Sequence, residues 1–173
     1  MKTERQDPMG KQMEYSAGDY VVYPTHGVGR VQGIETQEIS GITLELLIVT
    51  FEQDRMTLRV PMARAESSGL RKLSSRKLME DALTTLKGRS RAKRTMWSRR
   101  AQEYELKINS GDPVMIAEVV RDLHRGPEQP EQSFSERQMY QAALERLARE
   151  FAAVEEIDEN SASLKLEEML AAA

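Results

Sequence analysis

A change of hydrophobic period near Ser74 limits this chain more than any other feature, because one segment cannot satisfy a strand repeat and a helix repeat together. Before that point residues 19–71 read as β-structure. Tyr20, Val21, Val22 and Tyr23 are β-branched or aromatic and close at Pro24. Gly27, Gly29 and Gly33 punctuate a second stretch carrying Val28, Val31, Ile34 and Ile39. Ser40-Gly41 signals a turn into a third stretch, Ile42 to Phe51, and Gln53-Asp54 marks the next break. Met56, Leu58 and Val60 then alternate with Thr57 and Arg59, the period of a half-buried strand. Four or five strands joined by short turns within about fifty residues predict a small, strongly bent antiparallel barrel with a modest core.

From Ser74 onward the period is helical. Ser74 or Ser75 caps a helix through Leu78, Met79, Ala82, Leu83 and Leu86, and Gly88 stops it. A second helix is expected from about Thr95 to Ile108. Gly111, Asp112 and Pro113 end that helix, cap a third and open it, with the third running to Gly126. Ser135, with Gln138 three residues on, gives a capping box for a long fourth helix. A break over Glu156–Ser163 and a short last helix, Leu164–Ala172, complete the pattern. The fold class is therefore α+β in two domains, a small antiparallel barrel (15–71) followed by a compact all-α domain (72–173). Residues 1–14, polar with a Pro and a Gly, are expected to form a mobile tail.

Composition narrows the chemistry. Cysteine is absent and only His26 and His124 could offer imidazole, so thiol catalysis, disulfide scaffolds and multi-histidine metal sites are excluded and no metal or cofactor is expected. No apolar run reaches membrane-spanning length, and MKTERQDPMGKQME lacks the apolar core of a secretory signal, which together predict a soluble cytoplasmic protein. Walker A, GxSxG, HExxH and Rossmann patterns are missing, so neither an enzyme nor a small-molecule substrate is expected. Gly27-Val28-Gly29 reads as a bend in a strand rather than a phosphate cradle. The acidic group Glu155, Glu156, Asp158 and Glu159 reads as a solvated helix end. His26 reads as a turn residue and His124 as a packing residue on the third helix.

The net charge of −3 conceals a sharp asymmetry. Residues 71–100 hold 11 Lys and Arg against only Glu80 and Asp81, while residues 126–173 hold 4 against 11 acids. A dense cationic block of this kind is the electrostatic footprint of a phosphate-binding surface even in an acidic chain. Inside it, Met96, Ser98, Arg99 and Arg100 surround Trp97, the chain's single tryptophan. Two readings of Trp97 stay open. Trp97, Ala101, Tyr104 and Ile108 share one helical face, which makes the indole a core anchor. Its flanking arginines make it an apolar wedge able to enter a base step from the minor groove. Both hold if the ring caps the exposed end of the apolar face.

These residues carry a resemblance. The run Gly18-Asp19 through Pro24, His26, Gly27, Gly29 and Val31, then Leu58-Arg59-Val60-Pro61, Gly69-Leu70-Arg71, Trp97-Ser98-Arg99-Arg100 and Ala117 through Leu123, resembles the CarD/CdnL family of bacterial transcription regulators. The match spans roughly residues 14–172, in order. It implies a Tudor-like N-terminal barrel docked on the RNA polymerase β subunit, and a helical domain touching promoter DNA at the upstream edge of the melted bubble. It also implies stabilisation of the open complex and a place in the nucleoid through polymerase. By position, the resemblance makes Trp97 the wedge and puts Arg59 in the polymerase-binding surface, with Met56, Leu58, Val60 and Pro61 as its strand. A neighbouring position that is basic in many relatives is Gln37 here. Arg89, Lys93, Arg94, Arg99 and Arg100 are the expected phosphate contacts beside Trp97. The Gly-Asp-x-Val start is also used by KOW-type barrels, so an RNA- or ribosome-associated binding protein is the alternative. A lone tryptophan fits that alternative poorly, because single-strand binders use several stacking aromatics.

Overall fold

The computed structural model describes residues 15–52, 54–92 and 94–172; the expected tail at 1–14 and Lys93 lie outside the described residues. Strands β1 (Tyr20–Tyr23), β2 (Gly27–Ile39), β3 (Ile42–Phe51), β4 (Met56–Pro61) and β5 (Arg71–Lys72) precede helices α1 (Arg76–Leu86), α2 (Trp97–Asn109), α3 (Pro113–Leu123), α4 (Phe134–Glu155) and α5 (Glu159–Ala172). The strands form one antiparallel sheet in the order β4-β3-β2-β1-β5. Its outermost strands do not pair with each other, so the sheet stays open rather than closing into the expected barrel.

Local chemistry sets the strand geometry. Ser40 and Gly41 both take positive φ (52° and 78°) and join Ile39 to its register partner Ile42. A two-residue turn of this hand matches the twist of the flanking strands. An irregularity between Val31 and Gly33 shifts the β2–β3 register, leaving Gln32 as the extra residue of a bulge. Gly29 is a packing glycine, since a Cβ there would lie 2.7 Å from the Phe51 ring and 2.8 Å from Val49. Val21, Val31, Leu47, Val49, Phe51 and Leu70 form the core on one face of the sheet.

The helices pack around a second core that includes Leu86, Val119, Leu123, Leu147, Phe151 and Leu166. Their ends follow sequence chemistry, with three corrections. The long helix α4 is capped by Ser133, not Ser135: Ser133 Oγ accepts the Glu136 N–H at 3.2 Å. Glu136 also meets Arg125 at 3.3 Å, which favours the earlier of the two possible capping boxes. Helix α3 ends at Leu123, before Gly126, because His124 turns to extended backbone. Helix α5 begins at Glu159 rather than Leu164, since Asp158 accepts the Ser161 N–H at 2.7 Å and its hydroxyl at 2.9 Å. The break from α4 shrinks to a short turn through Glu156, at φ 56°.

Helix α4 also clasps the sheet. Arg71 of β5 meets Glu150 through two hydrogen bonds, at 2.7 and 3.0 Å. Glu150 Oε2 additionally accepts the Ser74 N–H at 3.1 Å and its hydroxyl at 2.8 Å. Its side chain is only 5% exposed. One helical turn before it, Arg146 donates to the carbonyls of Pro24 and Thr25 at 2.6 and 2.5 Å. Gly111 sits so close that a Cβ would approach Pro24 Cα at 3.3 Å.

Candidate interaction surfaces for polymerase and DNA

Strand β4 is an edge, paired only to β3 through the register Arg59–Ile48 and Pro61–Leu46. Alternation sends Met56, Leu58 and Val60 toward the sheet core, and leaves Thr57 and Arg59 exposed on the opposite face. Of the five residues expected to bind polymerase, Met56, Leu58 and Val60 thus turn their side chains toward the sheet core, and Pro61 is half-buried. Arg59 is the outward side chain, 59% exposed, with Nε 3.5 Å from Glu35 Oε2. Such an exposed pair contributes about 0–1 kcal/mol, so Arg59 is readily re-paired. Gln37 is exposed further along β2. Beyond the end of β4, the β2–β3 ribbon projects alone, with Ile39 and Ile42 52% and 62% exposed at its tip.

The second surface is the loop between α1 and α2 and the first turn of α2. Arg89, Arg94 and Arg99 are exposed; Trp97 and Arg100 are half-buried. Lys93 lies outside the described residues. Among the described residues, none of Arg89, Arg91, Arg94, Arg99 and Arg100 has a carboxylate within ion-pair distance. The acidic end of the chain pairs elsewhere, with Glu159 3.3 Å from Arg149.

Helix α2 starts without a side-chain cap, unlike α1, α3 and α4, because Met96 occupies its N-cap. Its first turn therefore keeps free N–H groups and the positive end of the helix dipole beside the arginines. Met96 itself is 75% exposed. Trp97 packs its inner side on the helical core, with Tyr104 and Ile108 buried beneath it on the same face. The indole and Tyr104 ring centroids are 6.3 Å apart, tilted by 50°. The ring thus caps the outer end of the apolar stripe, partly packed on the core and partly open to solvent.

Two contributors escaped the sequence reading. Asp122, 4% exposed, accepts the Arg91 N–H at 2.9 Å and the Arg121 Nε–H at 3.0 Å, tying the basic loop to α3. A lone acid on an apolar helix face was its only local signal. Met96 was legible as a neighbour of Trp97, but its exposure follows from where α2 begins.

His124 and Tyr140 meet through Nδ1 and Oη at 3.3 Å. Burial chiefly lowers the His124 pKa, with Glu167 opposing and Arg125 reinforcing. Burial and Glu167 push Tyr140 up to about 12. Among the described residues no group of acids and histidines could hold a metal, and no helix is long and apolar enough to cross a membrane.

An open sheet with a free edge is clasped to a helical domain with an aromatic-basic helix start, and the family matches make such a chain a transcription-associated regulator. Residues 15–74 match the CarD-like/TRCF RID domain and residues 81–167 match the CarD C-terminal domain, and the chain belongs to the CarD/CdnL family. The RID match indicates RNA polymerase interaction in general terms. The chain is 27% identical over 145 residues to the Bacillus subtilis (strain 168) "Putative transcription factor YdeB", covering 84% of this chain and 95% of that protein. It is also similar to the solution NMR structure of the 72-residue N-terminal domain of Myxococcus xanthus CarD. That similarity has 36% identity and a TM-score of 0.30, over 34% of this chain and 79% of that one.

Proposed function

We propose that the chain binds the RNA polymerase β subunit through the β4 edge and holds promoter DNA at the upstream edge of the bubble through the α2 start. In this way it stabilises the open complex. The observation that carries this reading is Trp97, half-exposed beside Met96 on an uncapped helix start, amid arginines that no described carboxylate neutralises.

An edge strand extends a partner's sheet with main-chain hydrogen bonds, and Arg59 supplies a charge to meet an acidic side chain there. At the other surface, Arg89, Lys93, Arg94 and Arg99 attract the DNA backbone whatever its sequence. Engaging about four to six phosphates gives a log–log salt slope of about −4 to −5. Insertion of an apolar side chain from the minor groove costs a few kcal/mol of unstacking in intact duplex, and less where stacking is already broken. Trp97 therefore favours the fork over closed duplex, and a ligand that prefers one state shifts the equilibrium toward it. Family membership stands against the KOW-type alternative.

The test is open-complex lifetime with purified polymerase. Trp97→Ala is expected to shorten the lifetime gained from this protein severalfold while leaving its polymerase affinity intact. An unchanged lifetime overturns the wedge.

A further inference from the structure

We propose that Arg100 is a positioning residue for Trp97 and not a phosphate contact, in contrast to its neighbour Arg99. The proposal rests on the wedge reading above and deepens it. Trp97, Arg100 and Tyr104 stand at i, i+3 and i+7 of α2 and so share one face. The Arg100 guanidinium carbon lies 5.6 Å from the indole centroid and 5.7 Å from the Tyr104 centroid. One terminal nitrogen donates to Tyr104 Oη at 3.3 Å. Nε is buried with no hydrogen-bond partner.

A guanidinium seated against two rings, with its Nε closed off from solvent, has exchanged hydration for the ring faces. Glu103 lines the same shallow cleft and forms no ion pair with it. A lysine ammonium lacks the guanidinium's breadth and cannot face both rings while donating to Tyr104 Oη. Arg99, exposed on the other side of the same turn, keeps its donors for the backbone.

Trp97 is the chain's single tryptophan, so its emission reports this one site. The full chain is compared with Arg100→Gln, Arg100→Lys and Arg99→Gln by three readings, and with Trp97→Ala, which has no indole, by the two DNA readings alone. The three are emission and acrylamide quenching without DNA, affinity for a bubble duplex against the closed duplex, and the salt slope on closed duplex. If Arg100 positions the ring, both Arg100 variants red-shift the emission and raise quenching before DNA is added. They also lose about three- to tenfold of the bubble preference, a range fitting one cation–π contact, with the salt slope unchanged. Arg99→Gln should leave emission alone and reduce the slope by about one unit. The proposal is overturned if Arg100→Gln lowers the slope by a unit with emission unchanged, or if Arg100→Lys behaves as the native chain. It is also overturned if emission shifts while bubble preference persists. Should Trp97→Ala itself keep the bubble preference, the wedge reading fails, and this arm separates that failure from a failure of Arg100 alone.

Discussion

At the scale of single residues, charge burial decides which ionisable groups matter. His124 sits at the end of α3 against Tyr140, and desolvation holds its pKa below the usual histidine value of 6.5. The folded chain therefore binds fewer protons there than the unfolded chain does. This contribution to stability is fully present above pH 6.5 and is lost as pH falls through the lowered folded value. Thermal unfolding followed from pH 7.5 to pH 5 should show a drop in midpoint that His124→Gln reduces. An identical pH profile in the variant would remove His124 as the cause. Arg99 shows the same rule from the other side, since its exposed charge is not committed to the core.

At the scale of elements, the free edge of β4 is the feature with most consequence. Edge strands present unpaired main-chain groups, and proteins guard them with charge. Here the guard is Arg59 with Glu35, a pair exposed enough to open on contact. Arg59→Glu puts like charges beside each other and reverses the sign shown to a partner. It should weaken binding to a polymerase β fragment by about tenfold or more while leaving folding intact, as the side chain lies outside the core. A pull-down or titration with undiminished binding would detach Arg59 from the docking surface. The helix ends teach a related lesson. Ser133 and Ser135 each begin a plausible capping box, and the choice falls to Ser133 because Glu136 has a second partner in Arg125.

At the scale of the whole molecule, α4 fixes the sheet to the helices. Glu150 accepts from Arg71 and from both Ser74 groups, and Arg146 holds the β1–β2 turn. The free edge of β4 and the indole of Trp97 are thereby carried on one joined frame. Glu150→Ala removes the only carboxylate bound to Arg71 among the described residues. Arg71 keeps the Gly111 and Lys72 carbonyls and the Ser74 hydroxyl as acceptors, so the loss is expected to be about 1–3 kcal/mol. Denaturant unfolding should show that loss, and a change within about 0.5 kcal/mol would mean the clasp contributes nothing to stability.

The sequence by itself determined whatever depends on near neighbours. The period change near Ser74 separates sheet from helices, Ser40-Gly41 makes the hairpin, and Asp112-Pro113 starts α3. The spacing of Trp97, Tyr104 and Ile108 sets one apolar face. The basic block stood out because its charges are consecutive in the chain. Tertiary structure alone decided the rest. Arg71 and Glu150 are 79 residues apart, and nothing local in either points to the other. Arg99 and Arg100 are the same residue type side by side, yet the helix turns one toward solvent and the other onto two rings. Period and turn chemistry act over a few residues and so are written in order along the chain, whereas pairing and burial depend on what folding brings alongside.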